Sequence, residues 1–321
     1  MPADGGQGGV KMGLFSNSKK KKPENAGQDA KEHLKNFDSA IRPGGVFMAQ
    51  LLMREQCAAP SVEQMKDVLS RRLGKVETFG DQETEKGFFS FTAWDYQSEF
   101  KDAKVPVQLS ILGCEPFQAE RIDDMKRSQM WDCLEDRDRI LSDCKYAVLI
   151  NDMLGGGLKA QIRANMLMDY LEAVLELYPS CEAVYFLNSG KLVRADTIRS
   201  GEIKGLDRYV RFCVNARFFN ISGTNDHVVD TLGLSLLYIE DLQYHFHDMD
   251  PNWVVGHAYD MASYILSNDR PIKNGDTIDG IVDGRLVQEI QWKCQFEGSL
   301  IGPDRPVLDV CMGEYAAGGR Q

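Results

Sequence analysis

The sequence predicts an α/β (α+β) fold of mixed sheets with helices packed on them, and three observations lead there. Apolar runs of strand length alternate with amphipathic stretches at helical spacing along most of the chain. Between residues 146 and 187 a strand, a glycine-rich loop, a long helix and a second strand follow one another, the pattern of one central βαβ crossover. The order helix, turn, strand, strand occurs over residues 61–112 and again after Asp250, which suggests two related α/β halves flanking that crossover.

Composition sets the bounds. With 321 residues, 43% hydrophobic and 26% charged, the chain can bury a full core and is long enough for two domains. A formal net charge of −11 repels nucleic acid phosphates and anionic lipid. No basic-then-apolar leader opens the sequence, and no window reaches the roughly 18 apolar residues of a span, so no integral membrane contact is expected. The eight cysteines are dispersed, lack a CxxC pair and mostly sit in apolar runs, which reads as buried thiols in a reducing cytoplasm.

Residues 1–43 read as a disordered polar and basic arm, because their few apolar residues show no period. Lys19, Lys20, Lys21 and Lys22 offer weak contact with an anionic membrane surface. Met12-Gly13-Leu14-Phe15-Ser16-Asn17 approaches a lipidation signal, but Asn17 stands where Ser or Thr is required. An N-terminal α/β domain is expected over 44–200, opening on the buried strand GGVFMAQLLM. Ser61 and Gln64 then make a capping box for a helix whose stripe is Val62, Met65, Val68, Leu69 and Leu73, ended by Gly74. Residues 88–94 and 105–112 read as strands separated by a polar connection. A charged amphipathic helix is expected over 121–141, followed by a buried strand at 146–150. The glycine loop leads into a helix with Leu158, Ile162, Met166, Tyr170, Ala173 and Leu177 on one face, which Pro179 ends. Its second strand, 183–187, should lie beside the first and parallel to it.

A C-terminal α/β domain is expected over 201–321. Residues 209–219 read as one strand on the alternation of Val210, Phe212, Val214 and Ala216, while 228–237 fit helix or strand. Asp241–Phe246 reads as a strand. Asp250 followed by Pro251 starts a helix that buries Val254, Val255, Ala258, Tyr259, Ala262 and Ile265, with Gly256 and Ser263 keeping it slim for close packing. Turn signals follow at Asn274-Gly275-Asp276 and Asp283-Gly284, and residues 290–296 and Pro306–Cys311 read as strands. Trp94, Trp131, Trp253 and Trp292 all fall at positions expected to face a core.

The densest polar stretch is 230–250. On a strand, Asp241, His245 and His247 share one face, and with Asp250 they form the candidate functional surface. No residue is assigned a catalytic role. First-row metals accept such mixed ligands, yet nothing fixes a third one, so His245 is read as structural, bonded from the following helix or the 274–276 turn, and neither metal nor cofactor is expected. Gly155-x-Gly157-x-x-Ala160 formally matches the dinucleotide fingerprint, but residues 151–154 separate it from the strand, and the second strand ends at Asn188 where a ribose-binding acid belongs. Gly155, Gly156, Gly157 and Lys159 are kept as a weak candidate anion site at a helix start.

Asp230-Thr231-Leu232-Gly233-Leu234, Asp241–Phe246, residues 258–264, residues 274–280 and Arg305-Pro306-Val307-Leu308-Asp309 resemble the bacterial proteins grouped as domain of unknown function 4261. The likeness runs over about 206–312, with 131–193 similar to the upstream part of those proteins. It implies a cytoplasmic bacterial protein with no assigned reaction and no established cofactor, and it argues against eukaryotic myristoylation. The reading is therefore a non-catalytic protein-binding or accessory module whose partner is another protein. The alternative is a metal- or phosphate-dependent hydrolase using the Asp241, His245 and His247 face.

Overall fold

The computed structural model describes residues 45–80 and 87–319. The 1–43 arm, with its lysine run at 19–22, lies outside them. Strand β1 (Met48–Met53) has almost nothing in it that needs water, and it runs through the middle of a seven-stranded sheet. Helix α1 (Val62–Leu73) starts on the expected capping box: the Gln64 amide donates to Ser61 Oγ at 3.2 Å, and the Ser61 amide to Gln64 Oε1 at 3.0 Å. A meander follows, β2 (Val76–Thr78), β3 (Phe88–Phe100) and β4 (Ala103–Pro116). β3 and β4 are longer than expected: the strand pairing continues past a bulge between Ala93 and Gln97, and only two residues turn the hairpin.

The 121–141 segment is not one helix. It is broken into α2 (Asp124–Ser128), a 3-10 turn at Trp131–Cys133 and α3 (Arg137–Asp143). Asp123 restarts the chain as a side-chain cap for α2, and the apolar residues follow no single stripe. Met130, Cys133, Ile140 and Leu141 cover Leu52, Ala147, Tyr185 and Leu192 on the sheet, whereas Met125, Trp131 and Leu134 face solvent.

β5 (Tyr146–Met153), α4 (Ala160–Leu177) and β6 (Ala183–Phe186) form the crossover, with one correction. β5 and β6 run parallel but are not neighbours, because β1 lies between them, antiparallel to both. With β7 (Lys191–Arg194), the order is β2-β3-β4-β5-β1-β6-β7, and every neighbouring pair is antiparallel.

After α5 (Ala195–Arg199), the expected strand over 209–219 proves to be helix α6 (Asp207–Cys213) and then β8 (Asn215–Asn220). Tyr209, Val210, Phe212 and Cys213 are all buried, a spacing of one, three and four that suits a helix; because Tyr209 and Cys213 break the alternation of Val210, Phe212 and Val214, alternation is not diagnostic. β9 (His227–Leu232), β10 (Asp241–Phe246), α7 (Pro251–Ser267), β11 (Thr277–Val282), β12 (Arg285–Gly298) and β13 (Pro306–Cys311) complete a second sheet, ordered β11-β12-β13-β10-β9-β8. Its one parallel pair is β10 with β13. The β8 edge is covered by a side chain: Gln129 accepts from the Phe218 amide at 2.8 Å and donates to the Phe218 carbonyl at 3.1 Å.

The two sheets share a topology. In each, a strand (β1 or β10) leads through a helix (α1 or α7) into a three-stranded meander whose last strand (β4 or β13) runs parallel to the first. In the first sheet β5 is wedged between those two strands; in the second they pair directly. The resemblance between halves suspected from element order thus extends to strand order and direction. One apolar core runs across both sheets, with α4 and α7 contributing to it. No described helix is long and apolar enough to cross a membrane.

Helix α7 departs from expectation at Gly256, which is exposed and has no atom within 4 Å of where a Cβ would sit. The helix does not need it for packing. Gly256→Ala is therefore expected to stabilise the protein by about 0.5–1 kcal/mol, read as a raised denaturation midpoint. Two tryptophans also lie at the surface instead of in a core. Trp94 stacks under the Lys75 ammonium at 5.4 Å and donates to Glu77 at 3.0 Å, and Trp131 donates to Gln129 at 3.2 Å. Trp292 is buried, and Trp253 is partly buried.

Candidate functional site

All six residues of β10 are buried, so its two faces are both dry. Leu242, Tyr244 and Phe246 join the apolar core. The Tyr244 hydroxyl meets His257 Nδ1 on α7 at 2.9 Å, and His257 Nε2 meets the Asp279 carbonyl at 3.0 Å. A carbonyl only accepts, so Nε2 carries the proton and Nδ1 takes the tyrosine's. Burial holds His257 below its ordinary pKa, consistent with this neutral tautomer.

The opposite face carries a polar row across the sheet. Strand register sets Arg217 opposite Asp230, Asp230 opposite Gln243, Gln243 opposite Asp309, and Asp309 opposite Gln295. Arg217 grips Asp230 with two hydrogen bonds, at 2.8 and 2.5 Å. Arg305, arriving from the loop before β13, joins Asp230 at 2.7 Å and Asp241 at 3.2 Å. Asp241 also accepts from the Leu234 amide and from Thr231. Burial pushes its carboxyl above the ordinary range, and Arg305 opposes that rise. The same arginines hold the 299–305 loop over the row: Arg305 donates to the Ile301 and Pro303 carbonyls, Arg217 to that of Gly302. Gln243 accepts from the Leu300 amide at 2.7 Å and donates to Asp309 at 2.9 Å.

The structure does not bring Asp241, His245 and His247 to one point. Asp241 belongs to the arginine network. His245 Nε2 lies 3.5 Å from Asp226, and its ring packs against Gly318 of the C-terminal segment, where a Cβ would come within 2.9 Å. The expected bonds from the following helix or the 274–276 turn are not the ones seen: that turn binds Cys294 on β12 instead. His247 is half-exposed and meets Asp248 at 2.9 Å, and Asp250 caps α7 by accepting from the Asn252 amide at 2.9 Å. Among the described residues, no group of three or more His, Cys, Asp or Glu is placed to hold a metal ion. Where β10 emerges, an open groove of about 410 Å³ is lined by Asn220, Thr224, Asn225, Asp226, His227, Asp248 and Met249.

The glycine loop has structural duties of its own. A Cβ on Gly157 would stand 2.5 Å from the Glu99 carbonyl oxygen, and one on Gly155 would stand 2.1 Å from Asp152 Oδ2. Gly155 leaves room for a buried ion pair in which Arg163 grips Asp152 at 2.9 and 3.0 Å. Gly156 is partly buried, and Lys159 is exposed at the α4 N-cap. All eight cysteines are free thiols, seven of them buried. Burial pushes Cys133 and Cys144 up to about 11 and Cys181 and Cys294 to about 12, far from nucleophilic thiolates.

Residues 230–311 match the family model described as Domain of unknown function (DUF4261). The match runs from β9 to β13 and includes Asp230, Asp241, Gln243, Arg305 and Asp309, leaving Arg217 as the network member outside it. No curated protein and no solved structure matches the chain.

Proposed function

We propose that this chain is a non-catalytic, cytoplasmic protein-binding module of bacterial type, which contacts its partner where β10 leaves the sheet. The observation that carries this reading is the open groove walled by Asp226, His227, Asp248 and Met249, beside exposed Asp250. The buried members of the candidate surface are engaged within the fold, so the reachable part is residues 247–250 and the 220–227 turn. Its carboxylates, on a chain of net charge −11, suit a basic segment of the partner. Eight unpaired thiols agree with a reducing compartment. The hydrolase alternative needs Asp241, His245 and His247 to converge, and their separate partners weigh against it.

A photo-crosslinking side chain placed at exposed Thr224 in cells is expected to give one discrete adduct. Asp226→Lys with Asp248→Lys should abolish it, while a crosslinker at Glu63 on α1 gives none. An adduct that survives the charge reversal would defeat the proposal. Stoichiometric first-row metal in the purified protein, lost with His245→Asn, would establish the hydrolase reading instead.

A further inference from the structure

Three sulfur atoms meet at one end of β1, outside the polar row and the groove. Cys57 Sγ, in the irregular segment after β1, donates to Met53 Sδ at 3.2 Å. Cys114 Sγ, at the β4 bulge, lies 4.0 Å from the same Sδ and accepts the Cys57 amide at 3.4 Å. Beside them is Tyr178, 2% exposed, whose buried hydroxyl has no hydrogen-bond partner among the described residues. It lies two residues before Ser180, whose hydroxyl meets the Met53 Sδ at 3.8 Å.

We propose that Cys57, Cys114 and Met53 form a three-sulfur site for a soft monovalent cation, cuprous copper above all, with the Tyr178 hydroxyl positioned to answer the thiolate charge. Two thiolates and a thioether are the donor set that selects Cu(I). A cation about 2.3 Å from each of three sulfurs in a plane holds them about 4.0 Å apart, which matches the Cys114–Met53 separation of 4.0 Å and requires Cys57 to swing out from its 3.2 Å contact with Met53. Zinc lacks its set here, since no described cluster supplies three His, Cys, Asp or Glu ligands. A disulfide between Cys57 and Cys114 would need a two-electron oxidant, which nothing among the described residues supplies. Metal binding needs no oxidant. The cation displaces two S–H protons to solvent, the thioether lends a lone pair, copper stays cuprous, and the site carries one net negative charge. Access is through Cys57, which is partly exposed among the exposed residues Arg54, Glu55, Gln56 and Ala58.

Anaerobic titration of the reduced full-length protein with Cu(I), against the chromophoric chelator bicinchoninate, tests this. One tight equivalent is expected, with binding that strengthens as pH rises because two protons leave. Cys57→Ser should remove that equivalent. Met53→Leu and Tyr178→Phe should each weaken it roughly tenfold or more, and Cys311→Ser should leave it unchanged. Copper X-ray absorption should report three sulfurs at about 2.3 Å. Because Cys57 lies in a partly exposed coil, its serine variant should melt like the parent, which separates a lost site from a lost fold. No tight equivalent in the parent, an equivalent retained by Cys57→Ser, or equal competition by Zn(II) would overturn the proposal.

Discussion

Arg305→Met is expected to cost about 3–5 kcal/mol at neutral pH, because it leaves Asp241 and part of Asp230 as buried carboxylates without their cation. Arg305 is 6% exposed and both aspartates are fully buried, so solvent cannot screen the loss. The variant should also free the 299–305 loop, which Arg305 holds through the Ile301 and Pro303 carbonyls. The pH dependence follows from Asp241. Its carboxyl is already held above 3.8 by burial, with Arg305 opposing the rise, so the substitution moves it higher. A carboxyl whose folded pKa exceeds its unfolded value gives stability that is fully present below the unfolded value and lost as pH rises through the folded one. The deficit of the variant should therefore be smallest near or below pH 3.8 and grow through the window up to its raised pKa. Urea midpoints of parent and variant at acid and neutral pH check this. A deficit that shrinks as pH rises would show that Asp241 is not the group left uncompensated.

The single-element features legible in the sequence were those with a local cause. The Ser61 and Gln64 box, the Asp250-Pro251 start and the limits of β10 rest on short-range signals, and each appears where those signals put it. The misreadings occurred where burial erased periodicity. Residues 207–213 are apolar enough to satisfy either period, and the 121–141 segment divides its apolar residues between a sheet face and solvent.

The polar row was legible only in part. Asp241 stood out because it lies beside two histidines, yet its partners are Arg305, Thr231 and Leu234, up to 64 residues away. The available signal was a charge stranded inside an apolar strand: Arg217 in NARFFN, Asp230 in HVVDTL and Asp309 in PVLDVC. Each such charge must be paired once buried. Which charge pairs with which is a matter of register, and register is set by pairing between strands that no single stretch specifies. The histidines drew attention by composition, but of the arginines that neutralise the row, Arg217 lay in a segment read as an apolar strand and Arg305 just ahead of the strand Pro306–Cys311, where no element was assigned. The central insertion of β1 is hidden for the same reason, since sequence order alone makes β5 and β6 neighbours.

Arg163→Leu is expected to destabilise the protein about as severely, by roughly 3–5 kcal/mol, through the other buried ion pair. Arg163 is 2% exposed and Asp152 fully buried, and the guanidinium makes four bonds: two to Asp152, one to the Gly45 carbonyl at 2.6 Å and one to the Leu236 carbonyl at 2.7 Å. The last reaches from α4 to the segment just before β10, so this one side chain ties the first sheet to the second half. The double variant Asp152→Leu with Arg163→Leu separates pairing from packing. With both charges gone no buried carboxylate is stranded, so its loss should be smaller than the sum of the two single losses by about 0.5–3 kcal/mol. Recovery should be incomplete, because the Phe47 amide, bonded to Asp152 at 2.7 Å, and the Gly45 and Leu236 carbonyls still lose their partners. Gly155→Ala should fall on the same side as Arg163→Leu, since its methyl group would enter the space between the two charges. Denaturation midpoints of the four proteins of the cycle decide it: strictly additive losses would mean that Arg163 acts through its carbonyl contacts and that the ion pair with Asp152 contributes nothing of its own.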